Sequence, residues 1–118
     1  MKHASFRTRV GNAWAGIRIV WRREKTFRTQ GLFALAAFAA CAWLRAGPLW
    51  WALVSLGIFM VVALEAMNAA LEYALDRLHP ERHAEIGHAK DAAAGAVLLA
   101  SLGTAGVGAL LLLDRWRG

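Results

Sequence analysis

The segment Glu65-Ala-Met-Asn68-Ala-Ala-Leu-Glu72-Tyr-Ala-Leu-Asp76 decides both the fold and the candidate function. Its four polar residues are three, four and four positions apart, so they form one stripe on an α-helix. The helix begins in the apolar run 49–64, which is long enough to enter a membrane. Acidic groups at that depth are costly and are functional by default. The segment therefore predicts a helix that carries a polar site from the bilayer out into water.

The composition is that of a membrane protein. Apolar residues make up 58% of the 118 positions, more than a water-soluble domain contains. The six tryptophans lie mostly near the ends of apolar runs, where their rings favour the lipid–water boundary. The net charge is +6, and in so apolar a chain we expect anionic lipid, not nucleic acid, as the partner. The length allows one domain, and the lone Cys41 excludes an intramolecular disulfide.

The predicted fold is all-α, with an N-terminal amphipathic surface helix and three transmembrane helices in a single domain, 1–118. The surface helix is predicted over 1–29, because one helical face is apolar and the other carries arginines. That apolar face consists of Phe6, Val10, Trp14, Ile17 and Trp21. The membrane helices are predicted at about 30–45, 49–68 and 92–113. The second helix is expected to continue to about Leu78, where His79-Pro80 ends it.

The basic residues predict the orientation. Eight Lys or Arg residues precede Gly31 and three lie between Asp76 and Asp91, against three on the other side. Since cytoplasmic segments are enriched in Lys and Arg, the N-terminus is predicted to be cytoplasmic. The location expected is the bacterial cytoplasmic (inner) membrane, with several passes. The acidic stripe then opens to the compartment that contains ATP.

The stripe has the groups that phosphoryl transfer needs. Glu65, near the acyl boundary, is placed to accept a proton from a lipid hydroxyl. Glu72, together with Glu24 from the surface helix, could hold Mg²⁺, which takes one or two carboxylates plus phosphate oxygens. Lys90 offers a positive charge to phosphate, and Asp91 a further polar anchor. Because phosphoryl transfer mainly requires positioning and charge neutralisation, this set suffices for it.

The residues alone are also compatible with an interpretation in which these charged side chains have no catalytic role. Glu72 and Asp76 are also what a solvated helix face would show, and Glu24 is also an ordinary charge among arginines. No Walker motif is present in the sequence. The run Gly103-Thr-Ala-Gly-Val-Gly108 lies inside a predicted span and indicates close helix packing, not a phosphate loop.

The whole pattern resembles the prokaryotic diacylglycerol kinase family, which are small integral-membrane lipid kinases. The segment 65–76 is similar to the family's Glu-x-x-Asn-x-Ala-x-Glu-x-x-x-Asp. Ala89-Lys90-Asp91, followed by Ala94-Gly95-Ala96-Val97-Leu98, resembles its second signature. Trp14-Ala-Gly16-Ile-Arg18, Trp21-x-x-Glu24 and Phe27-Arg28 match its surface-helix pattern.

The resemblance implies a homotrimer with active sites shared between subunits. It makes Glu65 the general base and Asn68 a residue that orders the site, with Glu24 and Glu72 as the Mg²⁺ ligands. The nucleotide-binding residues it implies are Glu24, Glu72, Asp76, Glu81, Arg82, His83, Lys90 and Asp91. The residues it implies for the lipid substrate are Arg18, Trp21, Arg28 and Glu65.

The function expected is an ATP- and Mg²⁺-dependent kinase that converts diacylglycerol to phosphatidic acid at the cytoplasmic membrane face. An undecaprenol kinase is the alternative, because the run 90–99 looks like that branch of the family. Ala13 and Ala94 also stand where a serine is common in diacylglycerol kinases, and Gln30 where an acid is common. A further alternative is a non-enzymatic transporter or pore subunit, which would have no need of a phosphate-binding lysine at Lys90.

Overall fold

The structure is a computed structural model that describes residues 4–118. All regular elements of this range are α-helices, as the sequence predicts. In chain order they are α1 (Phe6–Arg23), α2 (Lys25–Trp43), α3 (Pro48–Leu78) and α4 (Ala84–Arg117). Residues 1–3 of the predicted surface helix lie outside the described residues.

Two of these helices, α3 and α4, are long and apolar enough to cross a membrane. Their 31 and 34 residues extend about 46 and 51 Å at ~1.5 Å per residue, beyond the ~30 Å hydrocarbon core. Helix α2 falls short, because its first turns are polar and its apolar run, 31–44, extends only about 21 Å. The three predicted membrane segments are therefore confirmed to be helical. That α2 crosses the membrane stays a prediction.

The predicted surface helix is shorter than expected, since the chain breaks at Glu24. Glu24 has φ −107° and ψ 109°, so α1 ends at Arg23 and residues 25–29 start α2. The Arg28 guanidinium stabilises the break by donating to the backbone oxygens of Trp21 (2.6 Å) and Arg22 (3.0 Å). These are among the carbonyls that a helix end leaves without an intrahelical donor.

The connection after α3 begins where the sequence predicts it. Helix α3 ends at Leu78, immediately before His79-Pro80. The turn before Pro48 is tight: the backbone N–H of Ala46 donates to Cys41 (3.0 Å) and that of Arg45 to Ala42 (3.2 Å). Arg45 has φ 53°, which is the left-handed conformation. Many helices end with a residue in this conformation, and that residue is usually glycine.

Helix α3 is the centre of the fold and packs against the other three helices. Its buried residues, Val54, Ile58, Val61, Glu65 and Ala69, recur at helical spacing along one face. Near Gly57 the approach of α4 is so close that a Cβ on Gly57 would lie 2.7 Å from the Thr104 Oγ1. Small residues permit such close helix contacts in membranes. The acid stripe is thus the continuation of the face that holds the helices together.

Candidate active site

Three of the four stripe residues, Glu65, Asn68 and Glu72, line one cavity beside α3. Glu65 is buried, with 9% of its surface exposed, although it is ionisable. The cavity has a volume of about 270 Å³ and is lined by Glu24, Glu65, Asn68 and Glu72, with Ala94 and Val97 of α4 on the far wall. The structure therefore brings together the four residues predicted for catalysis and metal binding.

Glu24 reaches this cavity because of the break between α1 and α2. Its backbone N–H closes α1 by donating to Val20 (2.8 Å), and its backbone oxygen accepts from Arg28 (3.3 Å). Its side chain makes no capping hydrogen bond to α2. The Glu24 carboxylate is therefore available to α3, where Glu65, Asn68 and Glu72 are presented by two successive turns of one helix.

A tyrosine that sequence reasoning missed contacts this carboxylate. The Tyr73 hydroxyl donates to Glu24 Oε2 at 2.7 Å, and the Arg23 guanidinium lies 5.1 Å from the centre of the Tyr73 ring. Tyr73 lies beyond the apolar part of α3, and burial, followed by the hydrogen bond to Glu24, raises the pKa of its hydroxyl. Its position, four residues after buried Ala69, is the signal that could have placed it on the inner face.

The position of the Gln30 side chain next to the site was also not predicted from the sequence. This side chain lies close enough to the Glu65 carboxylate to interact with it. Gln30 further lines a smaller cavity, of about 100 Å³, between α2, α3 and α4, together with Ser101 and Thr104. The residue that marks a departure from the family pattern therefore lies beside the predicted base.

One polar atom in the site has no partner. The Oδ1 atom of Asn68 is buried and accepts no hydrogen bond from the part of the chain that the structure describes. Leaving such an acceptor unsatisfied costs about 1–3 kcal/mol. A polar group of a ligand in this cavity would remove that cost, so the atom points to a ligand-binding role for Asn68.

A second cavity lies at the loop between α3 and α4. Its volume is about 470 Å³, and it brings together the predicted nucleotide residues Asp76, Glu81, Arg82, His83 and Lys90. The Lys90 ammonium donates to Asp76 Oδ1 at 2.6 Å, across the loop. This hydrogen bond is the main cause that raises the pKa of Lys90, which is outside the predicted span. Lys90 is therefore charged at neutral pH, as a phosphate ligand must be.

The remaining predicted residues are more dispersed. Arg18 and Trp21 line a groove of about 290 Å³ on α1, together with Trp14 and Ile17. Arg28 is not part of that groove, because its guanidinium binds the end of α1. Asp91 is exposed and lines neither of the two cavities.

The carboxylates fit Mg²⁺ only as part of a metal–nucleotide complex. Within residues 4–118, no three His, Cys, Asp or Glu side chains are grouped closely enough to hold a metal ion by themselves. Mg²⁺ in nucleotide sites uses one or two carboxylates and takes its other ligands from phosphates and water. Glu24 and Glu72, two hard oxygen donors on one cavity, meet that requirement.

Comparison with known proteins gives a consistent result over most of the chain. The family model described as prokaryotic diacylglycerol kinase matches residues 11–112. The diacylglycerol kinase of Escherichia coli K12 is 34% identical over 91 residues, which cover 77% of this chain and 75% of the relative. That of Synechocystis is 35% identical over 102 residues, covering 86% and 58%. The undecaprenol kinase of Bacillus subtilis is 35% identical over 97 residues, covering 77% and 79%.

Proposed function

Because this chain belongs to the prokaryotic diacylglycerol kinase family, we propose that it transfers the γ-phosphate of ATP to the hydroxyl of diacylglycerol. The product is phosphatidic acid. The observation that supports this most directly is the cavity in which Glu24, Glu65, Asn68 and Glu72 meet. It lies where the apolar part of α3 ends, so a lipid headgroup and a water-soluble nucleotide can both reach it.

The proposed membrane arrangement has three spans, with the N-terminus in the cytoplasm of a bacterium and the chain in the inner membrane. Helix α2 is the third span, and residues next to its apolar run complete the crossing. Its exposed apolar side chains support this placement, since Leu32, Phe33 and Leu35 are 65–69% exposed in the single chain. In a homotrimer, a neighbouring subunit would cover part of this surface and would close the active site.

In the proposed reaction Glu65 accepts the proton of the lipid hydroxyl as the hydroxyl oxygen bonds to the γ-phosphorus of ATP. The bond between that phosphorus and the bridging oxygen of the β-phosphate breaks, and ADP leaves. The nearby Gln30 side chain is placed to orient the Glu65 carboxylate for this step. Asn68, on the same helix face, offers its free Oδ1 to a donor of the substrate. Positioning of this kind is the main protein contribution to phosphoryl transfer.

Glu24 and Glu72 hold the metal–nucleotide complex at the outer end of the cavity. Bound there, Mg²⁺ supplies neutralisation of the charge on the phosphate oxygens. Lys90 adds a positive charge from α4 once it leaves Asp76 for a phosphate. The loop residues Glu81, Arg82 and His83, which line the second cavity, bind the rest of the nucleotide. Asp91, next to Lys90 in the chain and outside that cavity, is a further polar anchor for the nucleotide.

The lipid is proposed to enter along α1. Arg18 and Trp21 line a groove in which apolar and basic side chains are combined, which suits an acyl chain with a polar headgroup. Arg28 borders this entrance by holding the carbonyl end of α1 beside Trp21. Interfacial tryptophan and arginine side chains favour this depth of the membrane.

Undecaprenol is the second candidate substrate. The undecaprenol kinase of Bacillus subtilis is 35% identical to this chain, and the diacylglycerol kinase of Escherichia coli K12 is 34% identical. Both lipids present one hydroxyl at the membrane boundary, so Glu65 would act on either in the same way.

The test is transfer of labelled γ-phosphate from ATP to lipid by the purified protein in mixed micelles. Diacylglycerol and undecaprenol are offered separately, and Mg²⁺ is removed with a chelator in a parallel sample. We expect metal-dependent labelling of diacylglycerol. Faster labelling of undecaprenol would change the substrate, and labelling of neither by folded protein would refute the kinase and favour a transporter or pore subunit.

A further inference from the structure

The Glu24 carboxylate depends on a contact from another helix for its position. Glu24 lies in the break between α1 and α2, where its side chain makes no capping hydrogen bond. A glutamate has several rotatable side-chain bonds, and ordering them costs free energy. The Tyr73 hydroxyl, at 2.7 Å from Oε2, is placed to hold this side chain in one orientation.

Tyr73 is itself held firmly. Its ring packs against the cluster of Val20, Phe27 and Ala69, which joins α1, α2 and α3. The Arg23 guanidinium covers the ring face at 5.1 Å, within the range of a cation–π contact. A ring fixed by these contacts presents its hydroxyl at a defined point, because a tyrosine has only two side-chain torsions.

The same turn of α3 presents both Tyr73 and Glu72. The two residues are adjacent, so the position of the hydroxyl relative to the Glu72 backbone is determined by helix geometry. Through the hydrogen bond, Glu24 is then tied to the helix that carries Glu72, with both carboxylates on one cavity. A carboxylate accepts about four hydrogen bonds, so donation by Tyr73 leaves the remaining lone pairs of Glu24 for a cation.

We propose that Tyr73 is a positioning residue that holds the Glu24 carboxylate opposite Glu72 and thereby sets the affinity of the site for a divalent cation bound with nucleotide. The inference rests on the proposed function, since it assigns Glu24 and Glu72 to the metal–nucleotide complex. Removing a group that hydrogen-bonds a metal ligand typically lowers metal affinity about 10- to 100-fold. Tyr73 does not touch the reacting atoms and acts only through Glu24.

The test compares Tyr73→Phe with the unmodified protein in detergent micelles, using full-length chains. The substitution removes the hydroxyl and keeps the ring, so the contacts with Arg23 and the cluster remain. Binding of Mn²⁺ in the presence of a non-hydrolysable ATP analogue is followed by the paramagnetic resonance signal of free Mn²⁺. The matched control is Thr104→Val, which removes another half-buried hydroxyl. That hydroxyl donates to the Ala100 backbone oxygen (2.8 Å) and does not line the cavity of Glu24 and Glu72.

We expect the apparent dissociation constant of Mn²⁺ to rise about 10- to 100-fold in Tyr73→Phe and to change less than about twofold in Thr104→Val. In Tyr73→Phe, transfer to lipid should recover as Mg²⁺ is raised, and the KM for lipid should stay unchanged. In a Glu24→Gln background the same substitution should add no further loss. Equal Mn²⁺ binding in Tyr73→Phe and the unmodified protein would overturn the inference, whereas no Mn²⁺–analogue binding by the unmodified protein would overturn the proposed function itself.

A measurement on the unmodified protein makes the test independent of how well the variant folds. Tyr73 is the one tyrosine of the sequence, so ¹³C labelling of tyrosine at the ring carbon that bears the hydroxyl gives a single resonance. We expect this resonance to shift when Mg²⁺ and the ATP analogue are added together. The Glu24 carboxylate, which accepts the hydrogen bond of the Tyr73 hydroxyl, then binds a cation. An unchanged resonance at saturating ligand would contradict the role of Tyr73.

Discussion

Replacement of Asn68 with leucine should stabilise the protein and impair its activity. The Asn68 Oδ1 atom is buried and finds no hydrogen-bond donor among residues 4–118. An unsatisfied buried polar atom costs about 1–3 kcal/mol, and leucine has the same branched shape and number of heavy atoms without that requirement. We therefore expect the free energy of unfolding to rise by about 1–3 kcal/mol while transfer to lipid falls, because the substrate loses an acceptor.

The assay for this prediction is equilibrium unfolding in detergent micelles with a denaturing detergent as the titrant. The control is Met67→Leu, a change at the neighbouring position, where the side chain is 68% exposed. A change there should stay within about 0.5 kcal/mol. If Asn68→Leu instead lowers stability by 1 kcal/mol or more, the amide is already paired in the assembled protein. Its oxygen would then not be the free acceptor on which the role of Asn68 depends.

Two further predictions concern helix packing and nucleotide binding. Gly57→Ala should destabilise the protein by about 1–3 kcal/mol in the same unfolding assay, because the added Cβ would lie 2.7 Å from Thr104 Oγ1. Gly103→Ala, where a Cβ meets nothing within 4 Å, is the control, and equal stability of the two variants would refute the close contact. Lys90→Gln should raise the KM for ATP about 10- to 100-fold with little effect on the KM for lipid, since a charge-assisted phosphate contact is worth about 1.5–3 kcal/mol. An unchanged KM for ATP in steady-state kinetics would remove Lys90 from the nucleotide site.

The acid stripe and the ends of α3 were predictable from the sequence because both depend on local rules. Glu65, Asn68 and Glu72 recur at helical spacing, so any helix through them places them on one face. His79-Pro80 ends α3 at Leu78, since proline cannot continue a helix from that position. These predictions needed no knowledge of how the helices pack.

The break at Glu24 was not predictable in this way. No proline or glycine lies between Arg18 and Gly31, so the local sequence is compatible with one long helix. The break is stabilised by Arg28, whose guanidinium reaches back seven residues to Trp21 and six to Arg22. The break is also what lets Glu24 reach α3, so a surface helix continuous to residue 29 would not have explained its access to the cavity.

Tyr73 and Gln30 were missed for a different reason. In the pattern from Glu65 to Asp76, Tyr73 occupies a spacer position, and only its contact with Glu24, 49 residues away, gives it a role. Gln30 likewise acquires its role from Glu65, on another helix. Contacts between distant parts of a chain depend on the packing of α2 on α3, which helical periodicity does not encode.

The most direct test of the central claim, that phosphoryl transfer takes place at the cavity around Glu65, is lipid labelling by Glu65→Gln. The substitution keeps the size of the side chain and removes the base. We predict that transfer of labelled phosphate falls by about 10²- to 10⁴-fold, the usual contribution of a general base, while binding of Mn²⁺ with the ATP analogue changes little. Turnover close to that of the unmodified protein would contradict the account and require the base to lie elsewhere.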